Sequence, residues 1–515
     1  LDLSDSAHQK IIRQELEQLP LFEGGCLLNG KLEKSQPSVM VSPYYKDQIV
    51  GHVHGANRHH VEQAFDYAHS AFLSWRTTPV AQRVHCLMQM AALMEKNCAK
   101  LMALCIKEAG KNIPDALAEV REAVDFCRYY ALKAQEILSE PLSLNGPTGE
   151  WNQLSLHGRG IFICISPWNF PLAIFVGQIA AALVTGNCVL AKPANPTTLI
   201  ATEAVKLFYE AGVPGDVLQL LPGSSAEVGH ALIQDWRVAG VALTGSVATA
   251  QTIYQMLAHK GGPIVPFIAE TGGQNAMIVD SSALLEKVTL DVIASAFHSA
   301  GQRCSALRVL FLQEEIADQA IELIKGAMQT LHIGSPEDFH TDVSCVITSQ
   351  AQENLNAHIA DMKQKAKIIY QCPLPESCMQ GTFVPPTAIE LSDLRLLDGE
   401  KFGPILHMIR YKREDLPRVI DQINHLGFGL TLGIHSRIQS TIDLIHQNVR
   451  VGNTYVNRNM IGAVVGVQPF GGEGLSGTGP KAGGPHYLYR FITERTLCID
   501  TTAQGGNAAL MMLEH

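Results

Sequence analysis

The chain has 515 residues, which is too many for one hydrophobic core and predicts two large lobes with smaller accessory pieces. Hydrophobic residues make up 46% of it and charged residues 17%, which is the usage of a folded globular protein rather than a disordered or fibrous one. The formal net charge is −10, and no run of Lys or Arg could follow a phosphate backbone, so nucleic acid is not expected as a partner.

The cysteines and the apolar stretches narrow the setting further. The twelve cysteines form no C-x-x-C pair and no His/Cys cluster with zinc spacing, so we expect no metal site and mostly small buried thiols in a reducing, cytoplasmic compartment. The apolar stretches 160–166 and 174–184 are shorter than the roughly 20 residues that a membrane helix needs, and no signal-peptide pattern is present. Because the first residue is Leu1 rather than Met, we expect the chain to be a piece of a longer one.

The first part of the chain has the periodicity of helices. Residues 57–75 place apolar side chains at three- and four-residue spacing, which predicts an amphipathic helix, and similar patterns continue to about Ile137. The pattern then changes, because Asn145-Gly146 is a turn signal and residues 151–156 alternate between polar and apolar side chains. This stretch predicts strands that lie outside the main lobe.

From Gly160 onward, short apolar runs alternate with helical segments, a rhythm that predicts a doubly wound, mostly parallel sheet. Its predicted strands are 161–165, 189–191, 217–221, 241–243 and 276–279. A second α/β series of related type begins after about Thr271, with predicted strands at 308–312, 367–370, 405–409 and 430–434. The predicted fold class is therefore α/β, with two doubly wound lobes and a small β-stranded flap.

Cys304 is the first candidate for chemistry. It lies in segment 299–306 (SAGQRCSA), where small residues surround one thiol and Arg303 precedes it. A cation beside the sulfur favours the thiolate, which is the form that attacks a carbonyl carbon. Taken alone, a single Cys is more often an inert core residue.

Two further side chains follow predicted strands. Glu270 stands after an apolar run and before two glycines, where a partly desolvated carboxylate has a raised pKa and serves as a general base. The alternative is a solvated charge at a strand end. Asn169 lies between Pro167 and Pro171, a setting that can hold its amide towards a cleft as a hydrogen-bond donor to an oxyanion. The alternative is that Asn169 only caps a turn between the two prolines.

Two more segments, 192–196 (KPANP) and 400–404 (EKFGP), strengthen the functional interpretation of Cys304, Glu270 and Asn169. Together the five segments resemble the aldehyde dehydrogenase superfamily, with its PWN segment, KP segment, E-x-G-G base, G-Q-x-C nucleophile and E-x-F-G-P segment. The similarity runs in the same order over nearly the whole chain. Five short motifs in the right order identify a family where any one of them would not.

The resemblance implies an NAD-dependent enzyme and assigns roles to residues. It implies Cys304 as the nucleophile, Glu270 as the base that activates the water for hydrolysis of a thioester, and Asn169 with the Cys304 N–H as the oxyanion site. The implied cofactor-binding residues are Lys192 and Asn195 at the adenosine ribose, Gly245 and Ser246 at the pyrophosphate, Glu400 at the nicotinamide ribose, Phe402 at the nicotinamide, and Ser166, Pro167 and Trp168 beside them.

The cofactor segments depart from the usual pattern at two places. Asn195 stands where NAD-specific members usually carry Glu, and an amide can hydrogen-bond a ribose hydroxyl but repels no 2′-phosphate. NAD is still the expected cofactor, with a smaller margin over NADP. The segment after Thr244 is GSVATA rather than G-x-G-x-x-G, so a search for the phosphate fingerprint would miss this site.

The substrate end of the chain is rich in glycine. Segment 462–481 reads on its own as a flexible surface loop. With segment 453–459, it resembles the glutamate-γ-semialdehyde (1-pyrroline-5-carboxylate) dehydrogenase branch, in the form found as the second domain of bacterial bifunctional proline-oxidising proteins. Segment 501–507 is similar too. The resemblance implies oxidation of L-glutamate γ-semialdehyde to L-glutamate in proline catabolism, and a proline dehydrogenase domain preceding this one.

In that branch, the loop equivalent to 475–478 anchors the α-carboxylate and amino group of the amino-acid semialdehyde. The implied substrate-binding residues are Ser305, Arg303, Ser476, Gly477, Phe170 and Phe470. The domain division that goes with the resemblance has an NAD-binding domain of residues 1–138 and 159–270, a catalytic domain of 271–486, oligomerisation strands at 139–158 and 487–502, and a tail of 503–515. Strands that expose unpaired edges predict a homodimer or larger assembly.

Other functions remain open from the sequence. A second possibility within the superfamily is oxidation of another carboxylate-bearing semialdehyde, such as succinic semialdehyde. A thiol esterase would use Cys304 and Glu270 without needing Lys192 or Glu400. A third class is a folded, non-catalytic structural protein, which retention of Cys304, Glu270 and Asn169 together argues against.

Overall fold

The computed structural model describes residues 2–146 and 150–500. Its helices are α1 (Ser6–Gln18), α2 (Arg58–Thr77), α3 (Val80–Lys96), α4 (Cys98–Ala109), α5 (Ile113–Leu138), α6 (Ala173–Val184), α7 (Thr198–Glu210), α8 (His230–Gln234), α9 (Val247–His259), α10 (Leu285–Phe297), α11 (Glu314–Gln329), α12 (Ser349–Lys365), α13 (Leu416–His425) and α14 (Gln439–Asn448). Its strands are β1 (Phe22–Gly25), β2 (Leu27–Leu28), β3 (Lys31–Leu32), β4 (Pro37–Val41), β5 (Ile49–His54), β6 (Leu142–Asn145), β7 (Trp151–Gly158), β8 (Ile161–Ile165), β9 (Cys188–Lys192), β10 (Leu218–Leu220), β11 (Val238–Thr244), β12 (Phe267–Glu270), β13 (Ala276–Val279), β14 (Val309–Gln313), β15 (Lys367–Gln371), β16 (Thr387–Glu390), β17 (Ile405–Tyr411), β18 (Phe428–Gly429), β19 (Thr431–His435), β20 (Asn453–Val456), β21 (Glu473–Gly474) and β22 (Ile492–Ile499).

The first lobe is built on a seven-stranded sheet in the order β12-β11-β8-β9-β10-β2-β3. The strands from β12 to β10 are parallel, and β2 and β3 continue the sheet antiparallel. Helices cover these strands, and nearly every side chain of α6 is buried. The predicted helix at 57–75 is α2, whose Val61, Phe65 and Trp75 face the core. The prediction of a doubly wound, mostly parallel sheet is confirmed here.

The second lobe has its own core and a seven-stranded sheet in the order β15-β16-β17-β14-β13-β19-β20. All neighbours in it are parallel except β15 and β16. The predicted strand 276–279 is present as β13, but its place in the first series is wrong. It pairs with β14 and β19 in the second sheet, because the chain crosses between the lobes after β12.

A three-stranded antiparallel flap in the order β22-β7-β6 stands outside both lobes. The strands predicted within 139–158 and 487–502 are present in this flap, where β7 pairs with both β6 and β22. Leu144, Trp151 and Leu497 on it are exposed. Residues 487–491, which we expected in the flap, form a 3-10 turn whose Tyr487, Leu488 and Phe491 pack into the first core. The predicted tail at 503–515 lies outside the described residues.

This architecture brings together segments that are distant in sequence. The carboxyl ends of β8, β9, β11 and β12 lie along one edge of the first sheet, where ligands bind in open α/β sheets. They carry the segments that begin at Ser166, Pro193, Gly245 and Thr271. Within residues 2–146 and 150–500, no helix is long and apolar enough to cross a bilayer, and no group of three or more His, Cys, Asp or Glu could hold a metal ion.

Candidate active site

A cleft of about 350 Å³ opens between the two lobes. Both Cys304 and Glu270 line it, so the structure brings together the nucleophile and the base predicted from sequence. Its other walls come from α5, from α6 and from the glycine-rich segment 462–482. Glu270 and Cys304, which are 34 positions apart in sequence, thus line the same cleft.

Cys304 follows a strained turn at the end of α10. Ser299 and Ala300 both adopt left-handed backbone conformations, with φ of 55° and 52°, and Gly301 follows with φ of 66°. A Cβ on residue 301 would lie 2.1 Å from the carbonyl oxygen of Gly403, so only glycine fits. Gln302, the next residue in the turn, is fixed because its side chain donates to the Cys345 carbonyl at 3.2 Å and accepts from the Ile347 N–H at 2.9 Å.

The thiol of Cys304 is not activated by Arg303, and that expectation is wrong. Burial, followed by the nearby Glu400 and Glu270 carboxylates, raises the pKa of Cys304 to about 12. Arg303 instead forms an ion pair with Asp115, with Nη2 and Oδ1 2.6 Å apart. In the chain by itself the sulfur is therefore protonated at neutral pH.

Glu270 ends β12 and is only 9% exposed. The Gly472 N–H donates to its Oε2 at 3.4 Å, while its Oε1 has no hydrogen-bond partner among the described residues. Burial raises the pKa of Glu270 well above the ordinary value, although the Gly472 N–H and Lys481 oppose this. A carboxyl that is desolvated, faces a cleft and has an unused oxygen has the properties of a general base.

Asn169 lies against the turn at residues 299–304 that carries Cys304, here called the nucleophile turn. Its side chain is buried, and Nδ2 donates one hydrogen bond to the Gln302 carbonyl at 3.1 Å. The backbone N–H of Cys304 donates to no other described group. The remaining Asn169 amide hydrogen and this N–H are the donors available for an oxyanion on a carbon bonded to the sulfur.

The segments expected to hold a cofactor line up along the edge of the first sheet. Lys192 ends β9 and is buried, which lowers the pKa of its ammonium group to about 8, and no described residue accepts a hydrogen bond from it. The buried Ser166 hydroxyl after β8 also lacks a partner among the described residues. Asn195 begins a 3-10 turn, and Gly245 precedes Ser246, the exposed N-cap of α9. These unpaired polar groups and helix N-terminus fit the ribose and phosphate groups of a dinucleotide.

The other end of the cofactor segments meets the second lobe. Glu400 accepts from Arg308 at 3.1 Å and lies so close to Gly272 that a Cβ there would be 1.9 Å from its Oε2. Burial raises the pKa of Glu400, against the opposing effect of Arg308. Phe402 packs edge-on against Trp168, which follows Pro167, with ring centroids 5.5 Å apart. A carboxyl and two aromatic rings placed here fit a ribose and a flat ring system.

Four of the predicted substrate residues line the cleft: Phe170, Phe470, Arg303 and Ser305. Ser476 does not, and its predicted role as a substrate anchor is corrected here. Its hydroxyl is fully buried, donates to the Gly272 carbonyl at 2.8 Å and accepts from the Gly429 N–H at 3.0 Å, so no lone donor is left for a ligand. Gly477 pairs with the backbone of Glu270 rather than lining the cleft.

Two acidic residues on α5 that no sequence motif singled out lie at this site. Asp115 binds the nucleophile turn, and Glu122, seven residues further along the same helix, lines the cleft. Burial, together with the charge of Glu119, raises the pKa of Glu122 to about 7. The sequence pattern that could have identified them is the row of acidic residues Asp115, Glu119 and Glu122 in a predicted helix, because this spacing places all three on one face.

Comparisons with known proteins agree with this geometry. The profile of the aldehyde dehydrogenase family matches residues 32–497. "Bifunctional protein PutA" of Klebsiella aerogenes is 49% identical over 477 residues, covering 91% of this chain and 35% of that protein. "1-pyrroline-5-carboxylate dehydrogenase" of Anoxybacillus flavithermus is 34% identical over 505 residues, covering 96% of this chain and 97% of that protein.

Among solved structures, proline utilization A (PutA) from Bdellovibrio bacteriovorus superimposes with a TM-score of 0.94 at 33% identity, covering 97% of this chain and 53% of that one. The chain spans about a third of the length of the curated PutA proteins that it matches. A family match over most of the chain, with the expected thiol and carboxyl in one cleft, settles the broad assignment. The chain belongs to the aldehyde dehydrogenase family.

Proposed function

We propose that this chain oxidises L-glutamate γ-semialdehyde to L-glutamate with NAD⁺, as a step in proline catabolism. The observation that carries the proposal is a single cleft in which the thiol of Cys304 and the carboxyl of Glu270 share space with side chains of both charges. The names of the relatives, PutA and 1-pyrroline-5-carboxylate dehydrogenase, support the substrate class.

The proposed chemistry begins at the sulfur of Cys304. Once its proton has left to solvent, Sγ bonds to the aldehyde carbon, and the carbonyl oxygen becomes an oxyanion. The Cys304 N–H and the Asn169 amide stabilise that charge, because preorganised donors in a desolvated site need no reorganisation during the reaction. Loss of hydride from this thiohemiacetal leaves a thioester on Cys304.

The nicotinamide cofactor, when bound, supplies the hydride acceptor. Lys192, Ser246 and Glu400 are the residues proposed to hold it, with Trp168 and Phe402 against its ring system. The fit rests on the unpaired Lys192 and Ser166 side chains and on the exposed N-terminus of α9. Water must be excluded from the ring for hydride to move cleanly, and the two packed aromatic side chains serve that purpose.

Glu270 is the proposed base for the second half of the reaction. As a carboxylate, it takes a proton from a water molecule, whose oxygen then attacks the thioester carbon and releases the acid and the Cys304 thiol. A raised pKa suits this task because a base is most effective when its pKa lies near the working pH. Its unpartnered Oε1 is the atom proposed to accept the proton.

Charged groups at the far side of the cleft are proposed to select the substrate. Glu122 offers a carboxylate to the α-ammonium group, and Arg303 offers the Nη1 hydrogens, which bond to no described residue, to the α-carboxylate. Phe170 and Phe470 cover the aliphatic part of the molecule. Ser305, beside the sulfur, completes the set.

Steady-state kinetics test this proposal. We expect kcat/KM for glutamate semialdehyde to exceed that for succinic semialdehyde by at least about tenfold, because only the former has an ammonium group for Glu122. Equal values would support the second semialdehyde as substrate. Calorimetric titration with NAD⁺ tests the thiol esterase alternative, which predicts no cofactor binding.

NAD⁺ is proposed over NADP⁺ because segment 192–198 (KPANPTT) has no second cation beside Lys192 that could bind a 2′-phosphate. The free thiols of all twelve cysteines support a reducing, cytoplasmic location. We also propose that the chain works beside a proline dehydrogenase domain, on the strength of its relatives named as bifunctional.

The flap is proposed to join two copies of the chain, because exposed strand edges and apolar side chains are normally covered by a partner. Sedimentation of the protein as a dimer or larger is expected. A monomer at micromolar concentration would contradict the proposal, and Leu144→Glu with Leu497→Glu should dissociate the assembly.

A further inference from the structure

Asp115 connects the first lobe to the turn that carries the nucleophile. It lies in the first turn of α5 and is buried. Its Oδ2 accepts from the Ser299 hydroxyl at 2.8 Å, and its Oδ1 accepts from Arg303 Nη2 at 2.6 Å. One carboxylate from the first lobe thus holds both ends of a five-residue segment of the second lobe that leads directly to Cys304.

The segment between these two contacts needs to be held. Ser299 and Ala300 have left-handed φ values, a conformation that residues with a Cβ adopt rarely, and such strain persists only where the surroundings enforce it. The Arg303 Nε also donates to the Ser299 hydroxyl at 3.0 Å, which closes a triangle of three side chains. Ser299 is therefore tied from two directions at the strained residue itself.

The surroundings of Asp115 keep its carboxyl group in the charged form. Burial by itself raises the pKa of its carboxyl, but Arg303, Lys111 and the Ser299 hydrogen bond together hold that pKa below its usual value. The carboxylate is therefore ionised at neutral pH. Replacing it removes two charge-assisted hydrogen bonds at once.

The next acidic residue on the same helix face holds the facing segment. Glu119 accepts the N–H groups of Leu172 and Ala173, at 3.3 Å and 2.9 Å, and pairs with Lys111 at 2.8 Å. These N–H groups follow directly on the segment that carries Asn169. A single helix thus fixes both the nucleophile turn and the proposed oxyanion donor, each through one carboxylate.

We propose that Asp115 is a positioning residue for Cys304, which it serves by holding Ser299 in the left-handed turn. The proposal rests on the proposed role of Cys304 as nucleophile. Asp115 touches neither substrate nor cofactor. Its effect reaches the reaction only through the geometry of segment 299–304.

The test compares Asp115→Ala with a double variant that also carries Ser299→Gly. We expect Asp115→Ala to lower kcat by about 10- to 100-fold, with the KM for NAD⁺ changed less than about twofold, because small displacements of a nucleophile reduce its rate strongly. Glycine adopts a left-handed φ without strain, so Ser299→Gly should restore at least about tenfold of that loss. Ser299→Gly in the otherwise unchanged chain should alter kcat by less than about threefold.

A second measurement reads the turn without any aldehyde. Iodoacetamide labelling followed by peptide mass spectrometry gives the alkylation of Cys304 relative to Cys98, which is partly exposed at the start of α4, outside the flap, and serves as an internal reference. Asp115→Ala should change this ratio, and the double variant should return it towards the original value. If the proposed substrate is wrong, no form of the protein will turn it over, but the labelling ratio will still report changes in the position of Cys304.

Glu203→Gln is the matched control. Glu203 is an ion-paired, mostly buried carboxylate on α7, held by Lys100 and Lys206. None of the three lines the cleft, so the loss of Glu203 should lower Tm without altering kcat or the labelling ratio. If Asp115→Ala behaves like this control, or if Ser299→Gly restores nothing, the positioning role is overturned. If Asp115→Ala does not fold, Asp115→Asn, which still accepts from Ser299, must show the same loss and the same rescue in milder form.

Discussion

The polar side chains around Cys304, on the cysteine side of the cleft, and those along the carboxyl edge of the first sheet, on the cofactor side, find hydrogen-bond partners in different ways. On the cysteine side, Asp115 pairs with Arg303, and Lys111 pairs with Glu119, all largely within the protein. On the cofactor side, the hydroxyl of Ser166 and the ammonium group of Lys192 have no partner among the described residues, although both are buried. The buried charges of Asp115 and Glu119 are thus paired within the protein, whereas those two polar groups on the cofactor side are not.

The difference assigns separate tasks to the two sides. A polar network that is fully satisfied is rigid and fixes geometry, whereas an unsatisfied buried group bears a desolvation penalty that a ligand can relieve. The ion pairs of Asp115 and Glu119 on the cysteine side are therefore preformed, whereas Ser166 and Lys192 on the cofactor side would gain partners from a bound cofactor. We expect variants on the first side to reduce rate constants and variants on the second to alter cofactor affinity.

Removing the sulfur gives the largest expected effect and tests the cysteine side most directly. Cys304→Ala should fold, bind NAD⁺ by calorimetry with unchanged affinity, and lose more than about 10⁴-fold in turnover, because no other side chain in the cleft can form the thioester. Aldehyde-dependent NADH formation near the original rate would place the nucleophile elsewhere.

Glu270 stands where the two sides meet, and its replacement separates the two half-reactions. Glu270→Gln should leave a rapid burst of NADH and slow the subsequent steady rate by about 10²- to 10⁴-fold, since only hydrolysis of the thioester needs the base. Because the pKa of Glu270 is raised, its carboxylate form increases as pH rises through that pKa, so the original steady rate should rise with pH. Stopped-flow traces in which burst and steady rate fall by equal factors would contradict this role.

On the cofactor side, Asn195→Glu should sharpen the choice between cofactors. A carboxylate there would repel a 2′-phosphate and lower kcat/KM for NADP⁺ by about 5- to 150-fold, equivalent to about 1–3 kcal/mol, with little change for NAD⁺. Asn195→Gln is the control, since it adds the same length without charge. An unchanged NADP⁺ value in the Glu variant would show that position 195 does not face the ribose.

The smallest expected effect concerns Glu122, which lines the cleft on the cysteine side. Burial first, and the charge of Glu119 second, raise the pKa of Glu122 to about 7, so its carboxylate is present above that pH and lost below it. KM for the semialdehyde should therefore fall as pH rises through about 7, at constant free aldehyde.

Glu122→Gln should raise that KM about tenfold at pH 8 and remove its pH dependence, because one charge-assisted hydrogen bond is lost. Succinic semialdehyde has no ammonium group, so its KM should hardly change. Equal effects on both substrates would mean that Glu122 shapes the cleft rather than recognising the amino group.

Local sequence patterns predicted most of the framework. The runs at 161–165 and 405–409 are strands at or close to the predicted positions because both faces of a parallel strand are buried, which leaves an unbroken apolar signal. The order of five motifs placed Cys304, Glu270 and Asn169 at one site, and the structure brings the first two into one cleft and the third against the nucleophile turn.

Contacts between distant segments decided the rest. Adjacency in sequence suggested that Arg303 activates the thiol, but its charge is taken up by Asp115, 188 positions away. The family resemblance implied a substrate anchor at Ser476, but the backbone groups of Gly272 and Gly429 use its hydroxyl instead. The sequence by itself determined which residues are proposed to carry the chemistry, because the motifs that identify the family are short and contiguous. Only the tertiary structure decided which charges are paired and which remain open, because pairing depends on what the fold brings within a few ångströms.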